Sequence, residues 1–309
     1  MSLGYMERLY VLAFDHRSSF QKGLFGVRGE PTAEETASIA RSKRIIFDGL
    51  QRAVREGGLD RRQTGVLVDE HFGAEVARNA KRLGLTLAMP VEKSGQEEFD
   101  FEYGDRFGDH IEAFDPALAK VLVRYNPEGD EAMNHRQLDR LRRLSEWLRA
   151  RDRKFLFELL VPPLAEQLER AGGEEDRYDA ELRPRLVVDA IEAAQSAGVE
   201  PDIWKIEGLE TRADCEKVVA QAHAEGRDQV SCVVLGRGAS SAKVAHWLRE
   251  GARVAGFTGF AVGRTIWWDA LSDWVAGTVD AAGAASLIAQ NYRKMVATYV
   301  SAAKQAPAG

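Results

Sequence analysis

The sequence predicts an α/β protein, a single (β/α)8 TIM barrel over residues 1–309. Three observations carry that expectation. Eight short apolar runs of strand length recur along the chain, and most are followed by a longer amphipathic segment. The runs are apolar on both faces, as parallel strands covered by helices are. Their C-terminal ends carry nearly all the chemically interesting side chains, and a barrel of this kind builds its site on that face. A doubly wound sheet of similar size is the alternative.

The first run, LYVLAF from Leu9, ends in Asp15-His16-Arg17 and leads to a helical pattern over 33–56. TGVLV from Thr64 ends in Asp69-Glu70-His71, before a helix over 73–83. LTLAMPV from Leu85 ends in Glu92-Lys93. The charged and aromatic stretch from Glu92 to Pro116 then reads as a long ordered loop rather than a helix. AKVLVRY from Ala119 brings Lys120, Arg124 and Asn126. The helix over 133–151 follows, with Leu138, Leu141, Leu144 and Leu148 at three- and four-residue spacing. KFLFELLV from Lys154 holds Glu158. Its connection, Pro162 to Pro184, contains Gly172-Gly173-Glu174-Glu175-Asp176 and reads as a mobile segment or lid before a helix over 184–198. DIWKI from Asp202 brings Lys205 and Glu207, ahead of a helix over 211–226. QVSCVVL from Gln229 ends in Gly236-Arg237-Gly238 and opens a helix over 240–253. GFTGFAV from Gly256 ends in Gly263-Arg264, and helical pieces occupy 266–303, where Trp267-Trp268 reads as packing. Met1–Gly4 are set aside as an expression remnant.

Composition narrows the function. There are 42 basic and 48 acidic residues, a net charge of -6, so nothing attracts nucleic acid or an anionic membrane in general. Any anion must be held locally. Cys215 and Cys232 are too few for a disulfide framework or a four-thiolate zinc site. No run approaches the roughly 18 apolar residues of a membrane span, and no signal peptide opens the chain. The expectation is a soluble cytoplasmic protein with a small-molecule partner, no cofactor, and an association of identical chains left open.

Lys205 is the sharpest candidate. Strand alternation puts Ile203, Lys205 and Glu207 on one face and Trp204 and Ile206 on the other. If the tryptophan meets the helices, Lys205 faces the barrel interior. Burial there favours the neutral amine, a nucleophile towards carbonyls. A structural tie to Glu207 or Glu158 is the other reading. Glu158, alone in an apolar strand, must find a cation or be held neutral, and either state suits proton transfer. Lys120 shares a face with Leu122 and Arg124. It brings a second ammonium towards Lys205 or closes a barrel layer. Lys93 and Lys43 read as ordinary lysines in polar or helical settings.

The segments Gly236-Arg237-Gly238-Ala239-Ser240 and Gly263-Arg264-Thr265 pair backbone N–H groups and a guanidinium with a helix start, which suits a phosphate. Neither has the spacing of a P-loop or a dinucleotide fingerprint. Asp69, Glu70 and His71 with Glu92 could ligate a metal, but no two histidines stand at ligand spacing on one helix, and no metal is expected. His16 is either a donor to a substrate oxygen or a structural loop residue.

Long segments resemble a known bacterial family: LAFDHRSSF (12–20), LVDEHFG (67–73), LAMPVEKSGQEEFDFEYGDRFGDHIEAFDP (87–116), AKVLVRYNPEGD (119–130), PDIWKIEGLE (201–210), VVLGRGAS (233–240) and GFAVGRTIWW (259–268). They resemble the C-terminal domain fused to the sugar kinase in some bacterial 5-dehydro-2-deoxygluconokinases of inositol catabolism. The likeness spans essentially the whole chain, and the kinase half has no counterpart in it. More distantly the pattern is similar to class I aldolases acting on tagatose bisphosphate and sulfofructose phosphate. That resemblance implies an imine-forming Lys205, with Glu158, Lys120 and Asp15 as the other catalytic groups. Arg264 and Gly263 would bind phosphate, joined by Arg237, Gly238 and Ser240, with His16 and Arg17 as further substrate contacts. His16 stands where those aldolases carry glutamine. Gly236 replaces a serine, and Arg237 is an addition. The implied activity is a Schiff-base lyase that splits 2-deoxy-5-keto-gluconate 6-phosphate into dihydroxyacetone phosphate and malonate semialdehyde. The alternatives are an aldolase for a related ketose bisphosphate or sulfosugar phosphate, and a non-catalytic metabolite-binding or partner module.

Overall fold

The computed structural model describes residues 2–305. Eight parallel strands close on themselves in chain order: β1 (Leu9–Ala13), β2 (Thr64–Leu67), β3 (Thr86–Pro90), β4 (Leu118–Arg124), β5 (Lys154–Leu160), β6 (Ile203–Glu207), β7 (Ser231–Leu235) and β8 (Phe257–Val262). The ring shuts where β1 pairs with β8, Leu9 opposite Gly259. A Cβ at Gly259 would lie 1.8 Å from the Leu9 carbonyl oxygen, so the closure needs a residue without one.

Alternation along the strands sorts their side chains into two sets. Leu9, Val11, Leu118, Leu156, Ile203 and Val233 fill the barrel. Leu12, Val66, Val123, Trp204, Ile206 and Val234 point outward into the shell under the helices. The expected split of the sixth strand is therefore observed, with Ile203 inside and Trp204 and Ile206 outside.

The helices are α1 (Ala33–Gly57), α2 (Glu70–Arg82), α3 (Phe107–Phe114), α4 (Glu131–Ala150), α5 (Ala165–Arg170), α6 (Glu175–Glu181), α7 (Arg183–Ser196), α8 (Arg212–Ala222), α9 (Ser241–Ala252), α10 (Arg264–Val275) and α11 (Ala281–Ala303). Their starts follow local chemistry. Thr32 and Glu35 form a capping box on α1, and Asp69 caps α2 by accepting from the Phe72 N–H at 2.8 Å. No helix among the described residues is long and apolar enough to cross a membrane.

Three expectations need correction. The stretch from Glu92 to Pro116 is not only loop: it contains α3, whose Phe107 and Ile111 are buried, and Phe101 stacks on Phe107 at 4.4 Å. Aromatic burial overrides the charged composition. The Pro162–Pro184 connection is helical, α5 then α6, and is held to the barrel. Tyr178 is buried and its hydroxyl donates to the Val161 carbonyl at 2.8 Å. Residues next to Met1 also belong to the fold. Lys154 donates to the carbonyls of Ser2 and Gly4, and the Gly4 N–H donates to Asp202 at 2.7 Å, so they line the barrel floor.

Candidate active site

A cavity of about 270 Å³ opens at the C-terminal ends of the strands. Strands β1 and β4 to β8 and the segment after β3 contribute to its lining, and inward positions of β4, β5 and β6 supply its charged base. The register sets Glu158 directly beside Lys205 across the β5–β6 pair. Lys205 Nζ lies 2.8 Å from Glu158 Oε1. Lys120 Nζ contacts the other oxygen of the same carboxylate at 2.9 Å, and reaches Asp15 and Glu92 at 2.8 Å each. All five residues are buried. Two lysine side chains and three carboxyls thus form one buried network, in which each carboxyl lies beside a lysine.

Burial and pairing pull the titrations in opposite directions. Burial alone lowers the pKa of the Lys120 ammonium, but Asp15, Glu158 and Glu92 together raise it, so it stays charged. Burial pushes Asp15 up, and Lys120, with help from His16 and Lys205, brings it well below the ordinary carboxylate range. Glu158 is likewise lowered, because Lys120 and Lys205 outweigh burial. Glu92 behaves differently: burial dominates and raises it, despite Lys120 and Arg17. Its Oε2 has no hydrogen-bond partner, on a side chain that lines the cavity. His16 is lowered to about 4, first by burial and then by the nearby Arg264 and Lys205 cations.

The structure brings Lys205, Glu158, Lys120, Asp15, His16, Arg17, Gly263, Arg264, Arg237 and Gly238 to this one cavity. Two of the expected binding residues are otherwise engaged. Arg17 is turned to the segment after β3, donating to Glu102 at 2.9 Å and to the Glu92 carbonyl at 2.7 Å. Ser240 caps α9, accepting from the Lys243 N–H, and lines a neighbouring cavity of about 310 Å³ that Arg264 and Gly238 share. At the β7–β8 side, Arg264 Nη2 donates to the Arg237 carbonyl at 2.8 Å. A Cβ on Gly238, which has φ +80°, would come within 2.8 Å of the Arg264 guanidinium carbon. Glycine there lets the loop lie flat against the arginine.

The residues considered as metal ligands do not converge. Asp69 is taken by Lys43 and the Phe72 N–H, Glu70 pairs with His110 at 2.9 Å, and His71 packs against the Phe72 ring. No cluster of three or more His, Cys, Asp or Glu suited to a metal occurs among the described residues.

Sequence reasoning missed three residues. Lys43 is not an ordinary helical lysine. It is fully buried, and donates to Asp69 and to the carbonyls of Phe14 and His16, at 2.8 and 3.0 Å, directly under the β1 loop that carries Asp15. A signal was present: Ile39, Lys43, Ile46 and Leu50 share one helical face. Glu92 was weighed only as a metal ligand, though its strand-end position matches that of Asp15. Asp179 gave no signal, since it sits in a charged connection with no apolar periodicity.

The sequence profile of the family described as "Uncharacterized protein conserved in bacteria (DUF2090)" matches residues 3–303. No curated protein matches. Among solved structures, the chain is similar to fructose-bisphosphate aldolase from Plasmodium falciparum in complex with TRAP and a small-molecule inhibitor. That likeness covers 97% of this chain and 91% of the other, at 14% identity and a TM-score of 0.62. It is also similar to an archaeal fructose-1,6-bisphosphate aldolase whose catalytic lysine is covalently bound to the carbinolamine intermediate, over 93% and 95% of the two chains, at 15% identity and a TM-score of 0.54. A Schiff-base-forming fructose-1,6-bisphosphate aldolase matches over 92% and 93%, at 15% identity and 0.53. At these identities the likeness establishes the fold.

Proposed function

The chain belongs to the DUF2090 family, conserved in bacteria, and from its site we propose that it is a class I aldolase that works through an imine on Lys205. The observation that carries the reading is the place of that amine. It is a buried lysine at the base of a ligand-sized cavity, 2.8 Å from a carboxylate whose other oxygen is held by a second buried ammonium.

The substrate best matching the resemblance is 2-deoxy-5-keto-gluconate 6-phosphate, in inositol catabolism. The Lys205 amine attacks the C5 ketone, giving a carbinolamine that loses water to an iminium. Glu158, in contact with Lys205, accepts the amine proton and returns it to the departing hydroxyl. The C3 hydroxyl then gives up its proton as the C3–C4 bond breaks, and the bond's electrons flow to the iminium nitrogen. Malonate semialdehyde leaves, and an enamine stays on Lys205. Protonation at C4 and hydrolysis release dihydroxyacetone phosphate and restore the lysine. Glu158 is the group we assign to these proton transfers, with Lys120 and Asp15 fixing its position. Arg264 and Arg237, with the N–H groups around Gly238 and Gly263, hold the phosphate and so place the ketone carbon. His16 stays neutral across the physiological range and faces the substrate as a hydrogen-bonding ring.

The test is reductive trapping. Borohydride with dihydroxyacetone phosphate should convert the imine to a stable secondary amine, which mass spectrometry should place on Lys205. An adduct on Lys120 would keep the chemistry and overturn the residue. No adduct under conditions of measured turnover would overturn the imine. No adduct and no turnover, with the phosphate still bound, would favour a non-catalytic binding module.

A further inference from the structure

We propose that Asp179, in the connection between β5 and β6, is a positioning residue that holds Arg237 at the anion end of the cavity. The proposal rests on the phosphate-binding reading of Arg237 given above.

Asp179 lies in α6 and is fully buried. Its carboxylate takes two donors from Arg237, Nη1 at 3.0 Å and Nη2 at 2.5 Å. It also takes Arg183 Nε at 2.9 Å. Arg183, itself fully buried, donates to the Gly208 carbonyl at 2.8 Å, just past the end of β6. The carboxylate is therefore fixed from behind by an arginine anchored to the strand that carries Lys205. It presents a two-pronged acceptor to a second arginine that lines the cavity.

Two carboxylates meet two guanidinium groups here: Asp179 binds both arginines, and Glu207 lies 3.5 Å from Arg237. A guanidinium has five N–H donors, and the contact with Asp179 uses only one edge of it. About a third of the Arg237 side chain remains exposed, at the cavity.

The backbone supplies an independent sign. Arg237 has φ +48°, in the left-handed region that glycine adopts readily and other residues rarely do. It sits between two glycines. An arginine at such a position is strained, and strain persists where surrounding structure fixes it and function uses it. Asp179 provides the fixing. The consequence reaches Arg264, whose Nη2 is bonded to the Arg237 carbonyl at 2.8 Å. One buried carboxylate thus sets both guanidinium groups of the anion end.

The experiment titrates inorganic phosphate and dihydroxyacetone phosphate into the full chain by calorimetry, for wild type, Asp179→Asn, Arg237→Gly and the double variant. Asp179→Asn should weaken both ligands about tenfold, the loss of a preorganised charged contact. It should raise the dihydroxyacetone phosphate concentration that half-saturates borohydride trapping, and leave that for unphosphorylated dihydroxyacetone unchanged. In the Arg237→Gly background it should have no further effect. Arg237→Gly should weaken phosphate at least as much as Asp179→Asn does. Wild-type phosphate affinity in Asp179→Asn, or additive losses in the double variant, would overturn the proposal. If Asp179→Asn does not fold, Arg237→Lys decides. It keeps the charge and loses the two-pronged contact, so several-fold weaker phosphate binding supports the clamp and unchanged binding overturns it. Absence of a trapped adduct in wild type would instead remove the aldolase reading, leaving the phosphate titrations to judge Asp179 by themselves.

Discussion

Lys205 and Lys120 share one carboxylate: Glu158 meets the first through Oε1 at 2.8 Å and the second through Oε2 at 2.9 Å. Without that group, Lys205 would lose its carboxylate partner while Lys120 kept Asp15 and Glu92. Glu158→Gln should therefore slow turnover by about 100-fold or more, the usual scale for a general acid–base group. Borohydride should still trap an adduct on Lys205, more slowly. Single-turnover cleavage alongside trapping separates the two effects. Loss of both in equal measure would make Glu158 a structural tie.

Arg264 is half-buried at the start of α10 and faces both cavities. Arg264→Ala should weaken phosphorylated ketones by about 10- to 100-fold, since a charged hydrogen bond is worth roughly 1.5–3 kcal/mol. An unphosphorylated ketone should bind as before. Equal losses on both would place the phosphate elsewhere.

His16 gives a pH signature. Its pKa is lowered to about 4 in the folded chain, against about 6.5 for a free histidine. Between those values the unfolded chain binds more protons, so stability falls as pH drops through that window. The His16 contribution to that loss should be about 2 kcal/mol by pH 4.5, with allowance for its partial exposure. Denaturant melts of wild type and His16→Gln at pH 7.5 and 4.5 measure it. The wild type should lose more than the variant, and parallel losses would remove the assignment.

Lys43 and Asp69 form a pair with no solvent on either side. Lys43→Met strands the carboxylate and should destabilise the fold by about 3–5 kcal/mol. Adding Asp69→Asn should recover part of that, because the uncompensated charge is gone while the amide oxygen can still cap α2. A denaturant midpoint unchanged in the single variant would contradict the pairing.

Much of this architecture was legible in the residues. The strands could be placed because each is apolar on both faces, and the inward turn of Lys205 followed from Trp204 and Ile206 belonging to the outer shell. Lys120, Glu158 and Asp15 fell into place because a barrel gathers strand ends. What stayed hidden depended on contacts between segments distant in the chain. The helix at Phe107–Phe114 owes its burial to aromatic packing around Phe101 and Trp147. The role of α6 depends on Arg183 and Arg237, each from a different element. The charge of Lys43 suggests an exposed side chain, and only its helical phase with Ile39, Ile46 and Leu50 points it inward.

With the imine we propose on Lys205, the pairing of Glu158 opposite it would also make the site a reporter of assembly. A strand's side chains alternate, so a β6 shifted by one residue against β5 would carry Trp204 into the barrel and turn Lys205 under the helices. Such a molecule could keep its secondary structure and still hold no reactive amine. After refolding, the fraction of chains that borohydride can label would count those whose sixth strand found its correct partner, a quantity that circular dichroism does not see.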